Sequence, residues 1–136
     1  MDAINNYKNP NDVWDTMVTL KRWLENKLDL KSFESYFQQY GYKTIGFFDA
    51  GEIGKMFLKE LQGTEIRIDW FVDNNAEGIG HIEGIPVYLM KDVLKLPKVD
   101  IVCVSPIFNY EAVNRYLVEN NSHIRTLSLK DATFEI

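Results

Sequence analysis

Residues Lys43 to Gly54 read KTIGFFDAGEIG, a short apolar run that stops at an acid, passes two glycines and opens into a helical pattern. The run Thr44 to Phe48 is continuous rather than alternating, as expected of a central parallel strand buried on both faces. A strand that turns through glycines into a helix is the first crossover of a parallel sheet and can receive a phosphate on the helix's free amides. That use requires glycine for a tight bend, for close approach of the ligand to the backbone, and for close packing of helix on strand. The three positions here are Asp49, Gly51 and Gly54, so the second and third requirements are met and the first glycine is a carboxylate.

The substitution matters electrostatically. Asp49 and Glu52 place two negative charges beside the turn, and two unit charges ~4 Å apart interact by ~1 kcal/mol in water and ~4 kcal/mol at a half-buried site. A helix N-terminus contributes only ~0.3 to 2 kcal/mol toward an anion. A pyrophosphate directly against Asp49 is therefore disfavoured unless that side chain turns away, with Lys55 the nearest counter-charge.

Downstream, strand and helix alternate. Glu52 to Leu61 places Ile53, Met56, Phe57 and Leu61 on an inward face and Lys55, Lys59 and Glu60 outward, with Gly63 as the stop. Ile66 to Val72 reads as a second strand ending at Asp73, Asn74 and Asn75. A loop with Gly78, Gly80 and Gly84 leads to the extended piece Ile85 to Leu89 and a brief helix near Lys91 to Leu96. Asp100 to Ser105 is another apolar strand closed by Pro106, Asn109 caps a helix Tyr110 to Glu119 that turns Val113, Tyr116 and Leu117 to the sheet, and Ile124 to Leu129 is a last strand. This order predicts a parallel sheet with helical crossovers.

In such sheets ligands bind beyond the carboxyl ends of the strands where the winding reverses. Three loops are expected there: Asp49 to Gly54, Asp73 to Asn75, and Ser105 to Asn109. Asp73 lies nineteen residues past Gly54, the place of an acid that hydrogen-bonds ribose hydroxyls; an Asx turn with Asn74 and Asn75 is the alternative. A carboxylate there repels a 2′-phosphate, which disfavours NADP.

Upstream, Pro10 to Asp12 start a helix in which Val13, Met17, Leu20, Leu24 and Leu28 recur at spacings of four, three, four and four, one apolar stripe flanked by Trp14 and Trp23. Asp12 is the expected N-cap. Asp29 or Ser32 caps a second helix with Leu30, Phe33, Phe37 and Tyr40 on one face and Gly41 as its stop. Residues 1–41 thus form a helical extension packed on a core of residues 42–136. The aromatic density of the pair (Trp14, Trp23, Phe33, Tyr36, Phe37, Tyr40) leaves two readings, a cap on the core or a docking and dimer surface.

The 136 residues suit one domain with one core. A net charge of −5 lacks the basic face of a nucleic-acid binder, and the acids are spread, six against five bases up to Gly41 and fourteen against ten beyond. The single cysteine, Cys103, sits in an apolar run and reads as core. No apolar stretch approaches the ~20 residues of a membrane span, and the polar start MDAINN lacks a signal peptide's apolar segment, so a cytoplasmic protein is expected. His81 and His123 have no partners at zinc-ligand spacing, and Ser105 lacks the glycine-flanked elbow of a hydrolase nucleophile. Hydride transfer would need a substrate domain or a partner chain.

The succession FFDAGEIGKMFLKEL, WFVDNN, HIEGIPVY and VDIVCVSPIF resembles the small Rossmann-like domains encoded among bacterial surface-polysaccharide biosynthesis genes, and is similar to the N-terminal UDP-sugar-binding domain of bacterial sugar acyltransferases. The resemblance covers Tyr42 to about Leu129. It implies a Rossmann-like, mostly parallel sheet of about five strands with flanking helices, preceded by the N-terminal helical pair. It implies further that Gly51, Glu52, Ile53 and Gly54 form a nucleotide turn, Asp73 and Asn74 the ribose and base end, and Ser105 with Pro106 the opposite wall. Members of that group usually carry glycine where this chain has Asp49, and the acyl-transfer repeats of the larger relatives are absent from it.

The resulting expectation is a nucleotide or nucleotide-sugar binding module of surface-glycan biosynthesis, with UDP-sugar or NAD as ligand and no complete catalytic machinery. The site set is Asp49, Gly51, Glu52, Ile53, Gly54, Asp73, Asn74, Asn75, Ser105, Pro106 and Asn109. The alternatives are an interaction protein, a homodimer or a partner of a glycan enzyme joined through the aromatic helices, and a nucleotide-sugar-modifying subunit that needs a second chain.

Overall fold

The computed structural model describes residues 7–121 and 123–136; the polar start at residues 1–6 lies outside them. Helices α1 (Asp12–Leu28) and α2 (Phe33–Tyr40) precede β1 (Thr44–Phe48), α3 (Glu52–Leu61), β2 (Arg67–Val72), a short α4 (Ala76–Ile79), β3 (His81–Ile82) and β4 (Ile85–Tyr88). A 3-10 turn over Met90–Lys95 leads into β5 (Ile101–Val104), α5 (Tyr110–Asn120), β6 (Thr126–Ser128) and α6 (Leu129–Glu135).

The strands form one sheet in the order β3-β4-β2-β1-β5-β6. Every pairing is parallel except β3 with β4, where His81 and Ile82 face Pro86 and Ile85 in an antiparallel pair. Six strands rather than about five result, because the glycine-rich loop after β2 folds into α4 and a tight hairpin. From β1 the chain steps to β2 and β4 on one side and to β5 and β6 on the other. The winding therefore reverses between β1 and β5.

Both faces of the sheet are covered. On one, Ile45, Phe47, Phe71 and Cys103 pack against Phe57, Trp23, Phe33, Phe37 and Leu129 from the flanking helices. On the other, Phe48, Trp70, Val72, Val102 and Val104 pack against Met90, Val93, Val113 and Leu117. The strand register slips between Ile45 and Gly46, so that Ile68 pairs with Ile45 and Trp70 with Gly46. The slip over Asp69 swings the indole onto the second face, where a Cβ at Gly46 would lie 2.2 Å from Trp70 Cη2.

Several local expectations hold. Ser32 accepts from the Ser35 amide at 3.3 Å and Asn109 from that of Ala112 at 3.2 Å, capping α2 and α5. Gly41 ends α2 with φ +73°. Others do not. Asn11, not Asp12, occupies the N-cap of α1, and Asp12 belongs to its first turn. Met56 and Leu30 are exposed, and Glu60, placed outward by pattern, is buried against Trp23. The chain after β6 continues into α6, which the sequence reading ended as strand.

The largest correction concerns α1. Its buried residues are Thr19, Trp23 and Asn26, while Val13, Met17, Leu24 and Leu28 of the apolar stripe are exposed. Conversely, Trp23, Phe33, Tyr36 and Phe37 of the aromatic set are buried, with Trp23, Phe33 and Phe37 in edge-on contact with Phe57. Four of the six aromatics cap the core, Trp14 and Tyr40 are exposed, and of the aliphatic stripe only Leu20 packs against the core.

Candidate functional site

Asp49, Asp73 and Ser105 are each the first residue beyond a strand, and each is held by the neighbouring strand's terminal carbonyl. The Asp49 amide donates to Val72 O at 2.9 Å, Asp73 to Tyr88 O at 3.0 Å and Ser105 to Phe48 O at 3.2 Å. The parallel ladder thus runs one residue past its strands and fixes three polar side chains along one sheet edge, at the reversal of winding.

Asp49 occupies the bend itself, with φ +131°, a backbone conformation rare outside glycine. Its side chain is folded inward. Oδ1 accepts from the Gly51 amide at 2.6 Å and Oδ2 from Ser105 Oγ at 3.0 Å. Burial pushes the Asp49 carboxyl above the ordinary carboxylate range, and the charges of Asp73 and Glu52 push the same way, against the two hydrogen bonds. Asp73 supports the bend from the other side: Oδ2 accepts from the Ala50 amide at 3.0 Å and Oδ1 from the Asn75 amide at 2.9 Å. The Asx turn expected as the alternative at Asp73 is therefore present, and a second lone pair on each oxygen remains for a ligand hydroxyl.

The consequence for anion binding is specific. Of the amides in the bend, those of Ala50 and Gly51 already have carboxylate partners. Residues Glu52, Ile53 and Gly54 open α3, whose N-cap, Gly51, provides no side-chain cap, leaving the first-turn amides as the remaining donors. Glu52 points to solvent, with its Oε1 3.8 Å from Lys55 Nζ. Gly54 meets the packing requirement in full: a Cβ there would sit 1.9 Å from the Asp49 carbonyl oxygen and 3.3 Å from Phe71 Cε1. Asn74 and Asn75 are exposed.

Ser105, Pro106 and Asn109 open onto a cleft of about 350 Å³ at the ends of β5 and β6, lined also by Asn9, Asp15 and Lys130. The Asp49–Gly54 and Asp73–Asn75 loops are not on its wall. The structure therefore brings Asp49, Gly51, Asp73 and Ser105 into one hydrogen-bonded group, and sets Pro106 and Asn109 around an adjoining space that shares only Ser105 with it.

Half of that cleft was not legible. The lead Tyr7 to Asn9 crosses back over the loop after β5: the Asn9 amide donates to Ile107 O at 3.0 Å, the Asn109 amide to Tyr7 O at 2.6 Å, and Lys8 bridges Phe108 in antiparallel sense. Asn9 Nδ2 donates to Asp15 Oδ2 and to Pro106 O, each at 2.8 Å, and Lys130 Nζ lies 2.9 Å from Asp15 Oδ1. The Asn9 bond first, and Lys130 second, hold the Asp15 carboxyl below the usual range. These partners lie up to 115 residues apart in the chain, and no local pattern signals them.

Among the described residues no group of three or more His, Cys, Asp or Glu side chains is placed to hold a metal ion, and no helix is long and apolar enough to cross a membrane. Cys103 is fully buried, and burial pushes its thiol pKa well up. Comparison with protein-family models, with curated proteins and with solved structures finds no match.

Proposed function

We propose that this chain is a Rossmann-like binding module for a nucleotide or nucleotide-sugar serving surface-glycan biosynthesis, holding its ligand at the carboxyl edge of the sheet. The observation that supports this reading is the meeting of Asp49, Asp73 and Ser105 at the reversal of winding, beside a cleft of about 350 Å³. Sites of this kind recur at that place in open α/β sheets.

The ligand's polar ends are not equivalent at such an edge. Asp73, with lone pairs to spare, suits ribose or sugar hydroxyls. The bend suits a diphosphate poorly, because Asp49 occupies the Gly51 amide and keeps a carboxyl in the phosphate's place. Phosphate contact is therefore assigned to the first-turn amides of α3 with Lys55, and UDP-sugar or NAD remain the candidates, with NADP disfavoured by Asp73.

Titration of the full chain with UDP-sugars, NAD and CoA, read by melting temperature and calorimetry, tests the reading. A ligand present at about 100 times its Kd stabilises the native state by ~2.7 kcal/mol. A melting temperature unmoved by all of them at saturating concentration overturns it.

A further inference from the structure

We propose that the outward face of α1 is an interface between two copies of this chain, packed antiparallel about a two-fold axis that passes between Leu20 and Lys21. Three observations carry this, and none depends on the ligand assignment above.

The first is what faces solvent. Thr19, Trp23 and Asn26 turn α1 inward, and the opposite face presents Val13, Met17, Leu24 and Leu28, which are 80%, 51%, 61% and 73% exposed. Trp14 at its edge is 63% exposed. No ionisable side chain interrupts the stripe, and Lys21 beside it is paired with Glu25 at 3.1 Å.

The second is symmetry. An isologous interface needs a patch complementary to itself after a two-fold rotation. Val13 and Leu28 stand seven and a half residues either side of the midpoint between Leu20 and Lys21, and Met17 and Leu24 stand three and a half residues either side of it. Antiparallel pairing therefore sets Val13 against Leu28 of the second copy and Met17 against Leu24, and closes the stripe on itself. It also opposes the two helix dipoles and brings Asp12 of one copy toward the end carrying Lys27 and Lys31 around Asp29. Parallel pairing would align the dipoles and place Asp12 against Asp12.

The third is area. At roughly 60 to 120 Å² for each aliphatic side chain and roughly 150 to 250 Å² for Trp14, scaled by their exposures, the stripe offers roughly 250 to 480 Å² of apolar surface per copy. Two copies bury roughly 500 to 960 Å² of it, and the polar rim that surrounds such a patch brings the total to the ~1,000 Å² of a specific interface. An exposed apolar patch of this size is within the range that commonly marks an interaction site.

Sedimentation equilibrium of the full chain, from micromolar to near-millimolar concentration, is expected to give a reversible monomer–dimer equilibrium with no larger species. Met17→Glu and Leu24→Glu should each weaken the dimer by about tenfold or more and leave the circular dichroism spectrum unchanged. Orientation is read by oxidative cross-linking: Lys21→Cys, exposed and near the axis, should trap a covalent dimer, whereas Val13→Cys alone should not and Val13→Cys with Leu28→Cys should. A chain that stays monomeric throughout, or a dimer indifferent to Met17 and Leu24, overturns the interface. Cross-linking through Val13→Cys alone overturns the antiparallel arrangement, and assembly that grows without saturating overturns the two-fold one.

Discussion

Ser105 Oγ donates to Asp49 Oδ2 at 3.0 Å, joining the first residue beyond β5 to the first residue beyond β1 across the line where the winding of the sheet reverses. Both side chains are buried. The place that in an open parallel sheet is left for a ligand's phosphate is here spanned by the protein's own hydrogen bond. A carboxylate at Asp49 is tolerated because it turns inward and supplies acceptors that the bend needs.

Holding a buried carboxyl has a cost that depends on pH. Because the folded-state pKa of Asp49 is raised above 3.8, the native state binds the proton more tightly than the unfolded chain. Stability from this group is fully present below about pH 3.8 and declines as pH rises through the raised value. Each unit of elevation corresponds to ~1.4 kcal/mol. Asp49→Asn is expected to raise the melting temperature at neutral pH and to lose that advantage near pH 3, by calorimetry across the range. Ser105→Ala, which leaves the carboxyl short of a donor, should cost ~1 to 3 kcal/mol at neutral pH and less in acid.

Asp49→Gly tests the anion question directly. It frees the Gly51 amide, removes a negative charge and restores the residue type that φ +131° favours. Affinity for a diphosphate ligand, such as UDP or a UDP-sugar, should rise in isothermal titration. Unchanged affinity would place the phosphates away from the bend.

How much of this was legible follows from range. The strand–turn–helix at Lys43 to Gly54, the caps Ser32 and Asn109 and the three polar loops rest on residues within a few positions of one another, and the structure keeps them. The direction of the Asp49 side chain depends on Ser105, fifty-six residues away, and the cleft wall on Asn9 and Lys130, so neither could be read from local pattern. The apolar stripe of α1 misled for a different reason. Periodicity reports that a helix has an apolar face but not which partner covers it. Thr19 and Asn26 are buried in its place because their side chains bond to Asp15 O at 2.6 Å and Thr133 O at 2.8 Å.

Asp100 answers acid in the opposite sense from Asp49. Its Oδ2 accepts from the Lys43 and Thr44 amides at 2.8 and 3.1 Å, anchoring the start of β1, and these bonds hold its carboxyl below the usual range. The stability it supplies is present above about pH 3.8 and is lost as pH falls through the lowered value. Asp100→Asn should therefore reduce the melting temperature at neutral pH and flatten the loss of stability on acidification.

Gly46 and Trp70 should behave as a coupled pair. The indole lies where a Cβ at Gly46 would be, at 2.2 to 2.6 Å from three ring atoms. Gly46→Ala should then cost ~1 to 3 kcal/mol or more through overpacking, measured by denaturant unfolding. Trp70→Leu alone should also destabilise, by removing buried surface. The double variant should be less destabilised than the sum of the two, because the smaller side chain makes room for the new methyl; a strictly additive cycle would mean that the ring shifts aside without cost.

Among the polar contacts that bind the N-terminal helices to the rest of the chain, one carboxylate lies at the centre of an aromatic cluster. Glu60 on α3 accepts from Trp23 Nε1 at 2.7 Å and from the Phe33 amide at 2.8 Å, with Lys27 Nζ 3.5 Å away. A single carboxylate thus ties α1, the start of α2 and α3 together beneath the rings of Trp23, Phe33 and Phe57. Trp23→Ala removes a buried aromatic and one donor from a nearly buried acid, and should cost ~3 to 5 kcal/mol. Trp23→Phe keeps much of the packing and loses the N–H, so it should cost less. Because Trp23 lies on the inward face of α1, Trp23→Phe should leave self-association unchanged in sedimentation. A change in oligomeric mass without loss of stability would contradict its place in the core.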